Sequence, residues 1–219
     1  MDYSIREHIE FLLIHKQYKE LLDICEKNKR YWKVLRLIPN GDNGNLIWFA
    51  VEAIALLMQR WWRAGKTGEV REYIRRQFWS LNDESGGIGW NSTQIIAETI
   101  IQIPDLTEPY ATMIIDRTLD EPLLINSGLW SVGRLGKRIS QSIDLFHDKV
   151  LKALKGDDPE TLGLAAWATG EVTFQPALPY LKNLYGREEK VRIYVNGEFH
   201  TKTLGRWAKE AISKITGTP

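Results

Sequence analysis

The sequence predicts an all-α fold: an α-α superhelix of stacked antiparallel helix pairs, with one small β-hairpin near its C-terminal end. Apolar residues recur at helical spacing in one segment after another, and glycine or proline ends most of these segments. Similar helices return about every 35 to 40 residues, a period that is typical of an α-solenoid. A single segment alternates instead, around Asn196-Gly197, and it predicts the hairpin.

The first 40 residues predict a helical cap. Ser4 and Glu7 have capping-box spacing at the start of the first helix. Helices are expected at about 4–15, 18–27 and 31–38. Because the loop that follows is rich in asparagine and glycine, we expect a cap at 1–40 and a repeat domain at 41–219. The two are expected to form one continuous body.

Helical hairpins are expected from residue 45 onward. Their helices are predicted at about 46–64, 67–81, 91–103, 108–119, 128–135, 142–155, 160–172, 176–185 and 204–215. Asn91 or Ser92, and Asn126 or Ser127, are the expected N-caps of two of them. A two-stranded ribbon is predicted at about 190–203, with strands at 190–195 and 198–203.

Three of these helices are copies of one another. Trp130-Ser-Val-Gly-Arg-Leu aligns with Trp167-Ala-Thr-Gly-Glu-Val, and Trp207-Ala-Lys-Glu-Ala-Ile begins a further copy. Each pair of helices has an apolar stripe that only a stacked neighbour can cover. Small residues such as Gly133 and Gly170 would let neighbouring helices approach closely.

These repeats carry a family resemblance. Residues 163–172, Gly-Leu-Ala-Ala-Trp-Ala-Thr-Gly-Glu-Val, followed by 175–181, Gln-Pro-Ala-Leu-Pro-Tyr-Leu, resemble the HEAT-like repeat of the bacterial phycobilin-lyase type, and 128–136 resembles it too. Residues 79–90, Trp-Ser-Leu-Asn-Asp-Glu-Ser-Gly-Gly-Ile-Gly-Trp, resemble a segment found in one group of prokaryotic HEAT-repeat proteins. The resemblance covers roughly 45–216 and implies the fold. It implies no lyase activity, because many unrelated proteins share this repeat.

Length and charge restrict the classes of partner. The chain has 219 residues, is 43% hydrophobic and 26% charged, and carries a formal net charge of +1. Bulk charge therefore favours neither nucleic acid nor a membrane surface. The middle is acidic, since residues 81–129 hold eight carboxylates against Arg117 alone, a local net charge of −7. Because duplex binding needs a continuous basic stripe, this acidic middle argues against a nucleic-acid partner.

The glycine-rich loop between Trp79 and Trp90 is the predicted centre of function, because ordering so much glycine costs entropy that packing must repay. It carries adjacent carboxylates, Asp83 and Glu84, and Glu98 follows on the next helix. These three could bind Mg²⁺ or Ca²⁺ through oxygen ligands, or could accept a basic partner. Alternatively, the loop carboxylates cap a helix or bond to the loop backbone.

A second pattern lies on the first helices of the pairs. A large or polar residue recurs with a charged residue four positions later, and such residues share one helix face. The pairs are Trp48 with Glu52, Gln94 with Glu98, Trp130 with Arg134, and Trp167 with Glu171. Stacking would line a concave groove with tryptophan and charge, as in many binding surfaces. The alternative is that the tryptophans form the core between repeats.

The sequence thus favours a non-catalytic scaffold that binds a protein or peptide through a concave acidic and aromatic groove. The expected contact residues are Trp79, Asp83, Glu84, Trp90, Asn91, Glu98, Trp130, Arg134, Trp167 and Glu171. Two alternatives stay open: a HEAT-like enzyme of the DNA glycosylase type, and a metal-assisted activity at the three carboxylates.

No nucleotide fingerprint and no zinc-ligand spacing occurs, so neither a cofactor nor a resident zinc ion is expected. Cys25 is the single cysteine and is expected to be a buried, inert thiol. The N-terminus lacks the pattern of a signal peptide, and no apolar stretch is long enough to span a bilayer. A cytoplasmic protein is the expectation, and the sequence leaves the oligomeric state open.

Overall fold

The structure, a computed structural model, describes residues 3–41, 44–81, 89 and 91–217. Within them the protein is mostly helical, with one antiparallel two-stranded sheet. The chain divides into two compact units, residues 1–103 and 104–219. In the described residues, no helix has both the length and the apolar character that a membrane crossing requires.

The first unit is built around one long helix, α4. Its helices are α1 (Tyr3–Ile14), α2 (Tyr18–Lys27), α3 (Lys29–Leu35), α4 (Leu46–Arg63), α5 (Thr67–Ser80) and α6 (Ser92–Gln102). Helices α1, α2, α5 and α6 all pack against α4. Its side chains Ile54, Leu57 and Met58 are fully buried. Burying a side chain of that size contributes roughly 1.5–3 kcal/mol, so α4 supplies much of this unit's core.

The second unit is built around α11. Its elements are α7 (Thr107–Thr118), α8 (Ile125–Leu135), α9 (Ser140–Leu145), α10 (His147–Ala153), α11 (Pro159–Glu171), α12 (Leu178–Lys182), β1 (Lys190–Val195), β2 (Glu198–Thr203) and α13 (Leu204–Thr216). Helix α11 packs against both α8 and α13. A Cβ atom added at Gly133 would lie 2.5 Å from the Trp167 ring, and one at Gly170 would lie 2.7 Å from Ala211 Cα. The predicted close approach at these two glycines is confirmed.

The predicted hairpin is confirmed at the predicted residues. Strands β1 and β2 pair antiparallel, with Lys190 opposite Thr203. Asn196 and Gly197 have φ angles of 52° and 87°. Two positive φ angles are what a two-residue type I′ turn requires, and Asn-Gly adopts them at low cost.

Two indole groups hold this hairpin against the helices. Trp130 Nε1 donates to the Tyr194 carbonyl at 2.8 Å, and Trp207 Nε1 donates to the Val191 carbonyl at 3.1 Å. A Cβ atom at Gly163 of α11 would lie 2.6 Å from the Val191 side chain. An isolated two-stranded hairpin is marginal in water, so this packing on the helices stabilises it.

Several helix ends differ from the prediction. Helix α8 starts at Ile125, so Asn126 and Ser127 lie inside it. The Asn126 side chain forms a hydrogen bond of 2.7 Å with the Thr161 hydroxyl and is used for tertiary contact instead of capping. The helix expected at 142–155 is two short helices, α9 and α10, because Phe146 between them leaves helical geometry with φ −113° and ψ 23°.

Cys25 is buried on α2, as expected. Burial raises the pKa of its thiol to about 12, so the reactive thiolate is suppressed at neutral pH.

Candidate interaction surface

The loop that the sequence marks as central lies largely outside the described residues. Asp83, Glu84 and Trp90 belong to that part of the chain, so their contacts are not part of the site described below. In the described part of the chain, no three His, Cys, Asp or Glu residues are placed to share a metal ion. The metal hypothesis at Asp83, Glu84 and Glu98 therefore stays a prediction.

The two ends of this loop meet at a hydrogen-bonded neck formed by Gln77, Ser80, Gly89 and Ser92 (the loop neck). The Gly89 amide donates to the Ser80 carbonyl at 3.0 Å. The Ser80 and Ser92 hydroxyls are 2.8 Å apart, and the Ser92 hydroxyl donates to Gln77 Oε1 at 2.8 Å. A Cβ atom at Gly89 would collide with the Ser92 hydroxyl. The end of α5 and the start of α6 are thereby fixed against each other.

Two predicted contact residues flank the loop neck. Trp79, in the last turn of α5, is 76% exposed, the highest value among the large hydrophobic side chains described. Asn91 precedes α6, but its side-chain amide donates to the Pro39 carbonyl at 2.6 Å instead of capping the helix. Asn91 thus holds the loop neck to the rest of its unit, while Trp79 presents an aromatic surface to solvent.

Glu98 belongs to a buried row of polar side chains on α6. Its exposed fraction is 4%, and that of Gln94, one turn earlier, is 6%. Gln102 Nε2 lies 3.4 Å from Glu98 Oε1, and Gln59 Nε2 of α4 donates to the Gln102 carbonyl at 2.8 Å. Buried polar side chains are generally hydrogen-bonded, and the Gln102 amide is such a partner for Glu98. The expected surface role of Glu98 needs correction, because this side chain lies in the interior.

Trp130 and Trp167 are also interior residues. Their exposed fractions are 3% and 5%. Trp130 Nε1 is bonded to a hairpin carbonyl, and Trp167 Nε1 donates to Glu171 Oε1 at 2.8 Å. Of the two interpretations that the sequence left open, burial favours core packing over a groove lining for both indoles.

Arg134 and Glu171, the charged residues four positions after Trp130 and Trp167, bond to neighbouring elements of the second unit. Arg134 Nη1 donates to Asn196 Oδ1 in the hairpin turn at 2.8 Å. Glu171 Oε1 also accepts from Lys214 Nζ of α13 at 2.6 Å. Both side chains therefore link secondary-structure elements within this unit.

A further surface of the first unit escaped the sequence analysis. We name it the basic aromatic surface, and its residues are Trp32, Arg36, Trp61, Trp62, Lys66, Arg71 and Tyr73. The Trp32 ring centroid lies 5.5 Å from that of Trp61 and 5.4 Å from that of Tyr73, so α3, α4 and α5 meet there. The signal in the sequence was a stretch without acids, residues 27–41 after Glu26, in which Trp32 lies among basic residues.

Cations lie over the rings of this surface. Lys66 Nζ is 5.8 Å from the centroid of Trp61, and Arg71 Cζ is 5.3 Å from that of Trp62. Burial raises the pKa of Tyr73, so its hydroxyl stays protonated. The surface is therefore positively charged and aromatic at neutral pH.

Some of the arginines on α4 and α5 form ion pairs in the described part of the chain, and others do not. Arg60 Nη1 bonds Asp23 Oδ1 at 2.5 Å, and this bond lowers the pKa of Asp23. Hydrogen bonds from Arg76 and then Arg75 lower the pKa of Glu72. Within the described residues, the three cations of the basic aromatic surface, Arg36, Lys66 and Arg71, form no ion pair.

Comparison with known proteins adds no relative: no family model matches the chain, and no curated protein sequence is significantly similar to it.

Proposed function

We propose that the protein is a non-catalytic interaction scaffold, a HEAT-like α-α superhelix that binds a protein or peptide partner. The observation that carries the proposal is the 76% exposure of Trp79 beside the loop neck. A tryptophan held by a rigid helix loses little conformational entropy on binding, and tryptophan is enriched among the residues that dominate binding energy. The partner is expected to contact Trp79 and the neighbouring carboxylates Asp83 and Glu84, so a basic segment would suit it.

The packing of the second unit supports the repeat architecture. Trp130, Trp167 and Trp207 are aligned by the sequence repeat and lie on α8, α11 and α13, and α11 packs against both of the others. Each of the three indoles is buried. Repeated helices with a shared interior form rigid bodies whose remaining faces are free for binding, which is how solenoids generally act.

The test is affinity capture with quantitative mass spectrometry, followed by calorimetry with the purified partner. Wild type is compared with Trp79→Ala, with Glu84→Lys, and with Leu123→Ala, a control that changes another exposed apolar side chain, 64% exposed, in the second unit. Both test variants are expected to weaken binding about 30-fold, since loss of a hot-spot residue costs about 2 kcal/mol or more. The control is expected to bind like wild type. Wild-type affinity in both test variants would refute the proposed contact surface.

A further inference from the structure

We propose that the basic aromatic surface binds single-stranded nucleic acid. This proposal does not depend on the scaffold function, because it concerns different residues. Lys66 and Arg71 lie at the start of α5, whereas Trp79 lies in its last turn. About eight residues of helix separate Arg71 from Trp79, roughly 12 Å at 1.5 Å per residue.

The local charge of this part of the chain differs strongly from that of the whole. Residues 28–41 and 60–80 together hold ten basic and two acidic residues, a local net charge of +8, in a chain whose net charge is +1. Three helices bring these two segments together through the contacts of Trp32 with Trp61 and Tyr73. A concentrated positive field of this kind attracts anionic partners and speeds their association.

The surface also holds hydrogen-bond donors in excess of acceptors. Its lysine and arginines only donate. A ligand that satisfies such a surface must be anionic and rich in acceptors, as a phosphodiester backbone is.

The aromatic rings favour nucleic acid over an acidic peptide. Trp32, Trp61, Trp62 and Tyr73 are partly exposed, so they combine packing against the helices with a share of the surface. Proteins that bind single strands combine a positively charged track with aromatic side chains on which bases stack, at about 1–3 kcal/mol per base. An acidic peptide would pair its carboxylates with the cations, but it has no bases to stack on the aromatic rings. A duplex is disfavoured because its bases are already stacked on each other.

The test uses the full-length protein and a fluorescein-labelled 20-nucleotide oligothymidine, with binding followed by fluorescence anisotropy. Wild type is expected to bind, and its affinity is expected to fall about 15-fold or more between 50 and 200 mM salt. That value follows from at least three phosphate contacts, each of which adds about −0.7 to the slope of log affinity against log salt. Absence of binding at micromolar protein, or binding without salt dependence, would overturn the proposal.

The key variant is Lys66→Glu combined with Arg71→Glu. Loss of two phosphate contacts is expected to reduce the salt slope by about 1.4 and the affinity at 50 mM salt at least tenfold. The matched control is Lys152→Glu combined with Lys182→Glu, which makes the same change in net charge at exposed positions of the second unit. The control is expected to bind like wild type, and an equal loss in both would overturn the proposal.

Further measurements keep the result decisive. Circular dichroism and the melting temperature check that each variant is folded, and Arg71→Gln gives a milder change, with an expected slope reduction of about 0.7. Competition with a 20-residue polyglutamate is expected to be weak, and competition as strong as that of unlabelled oligothymidine would assign the surface to an acidic protein segment. Tighter binding of a 20-base-pair duplex would also overturn the proposal.

Discussion

The tryptophans of the two compact units are placed in opposite ways. In the second unit, Trp130, Trp167 and Trp207 are each at most 5% exposed. Their indole N–H groups donate to the Tyr194 carbonyl, the Glu171 carboxylate and the Val191 carbonyl, at 2.8, 2.8 and 3.1 Å. There the side chain supplies volume to the core and one satisfied donor.

In the first unit the same residue type lies at the surface among cations. Trp32, Trp61 and Trp62 are only partly buried, and Trp79 is 76% exposed. Lys66 lies over the Trp61 ring, and Arg71 lies over the Trp62 ring. The difference teaches that a high tryptophan content has two physical meanings in this chain: interior packing in one unit and a surface available for binding in the other.

The largest effect that tests this comparison is expected from Trp130→Ala. It removes a buried side chain from the packing between α8 and the hairpin, and such a truncation costs about 3–5 kcal/mol. Urea unfolding measures it. Trp130→Phe keeps most of the volume but removes the hydrogen bond from the indole N–H to the Tyr194 carbonyl, so a smaller cost of about 1–3 kcal/mol is expected. A change below 1 kcal/mol for Trp130→Ala would break the comparison.

The next effect is expected from Gly133→Ala. Its new methyl group would meet the Trp167 ring at 2.5 Å, and overpacking of this kind costs about 1–3 kcal/mol. The control is Gly68→Ala in α5, where nothing lies within 4 Å of the added Cβ atom. This control is expected to stabilise the protein by about 0.5–1 kcal/mol, because alanine is the better helix former. Equal effects of both changes on the melting temperature would show that α8 and α11 are less closely packed than described.

A third, smaller effect concerns the start of α11, the helix that carries Trp167. Asp158 caps it by accepting from the Thr161 amide and hydroxyl, at 2.8 and 2.7 Å. Asp158→Ala is expected to cost about 1 kcal/mol at pH 7, as measured by urea unfolding. Asp158→Asn keeps a side-chain acceptor and is expected to cost less.

The cap also predicts a dependence on pH. The hydrogen bonds from Thr161 lower the pKa of Asp158 below its usual 3.8. As the pH falls towards 3.8, Asp158 takes up a proton in the unfolded chain before it does so in the folded protein. The stabilisation by the cap is therefore present above about pH 4 and is lost as the pH falls through the pKa of the folded state. The difference between wild type and Asp158→Ala in unfolding free energy is therefore expected to shrink below pH 4. A constant difference from pH 7 to pH 3 would contradict the assigned cap.

The smallest effect on stability is expected from Trp79→Ala. Its side chain is mostly solvated, so the free energy of unfolding should change by less than about 0.5 kcal/mol. Iodide quenching of tryptophan fluorescence sharpens the comparison, because the accessible fraction of the signal should fall in this variant and rise slightly in Trp130→Phe, which removes a buried emitter. A large loss of stability for Trp79→Ala would mean that this ring is part of the core.

The sequence predicted the elements whose limits depend on local backbone preference. The Asn196-Gly197 turn and both strands lie at the predicted residues, and helix α2 begins at Tyr18 and ends at Lys27 as expected. Prediction failed where a side chain was used by a distant element. Asn126 and Asn91 are of a residue type that often caps helices, but their side chains form hydrogen bonds with Thr161 and with the Pro39 carbonyl.

The candidate site divides in the same way. Trp79 is exposed beside the loop, but Glu98, Trp130 and Trp167 are enclosed. The i, i+4 spacing correctly put pairs of residues on shared helix faces, as the bond from Trp167 to Glu171 shows. Spacing along one helix does not tell which neighbour covers that face, and so it does not separate a groove from an interior.

The sequence by itself determined the helical class and the hairpin. The helices follow from the spacing of apolar residues, and the hairpin turn follows from the positive φ angles that Asn196 and Gly197 adopt at low cost. Only the tertiary structure decided which tryptophans are buried and which cations meet on one surface. Burial and local charge are sums over neighbours far apart in the chain. Trp32 and Trp61 are 29 positions apart, yet their rings lie 5.5 Å from each other, and the net charge of the whole chain hides the excess of basic residues in the two segments that carry them.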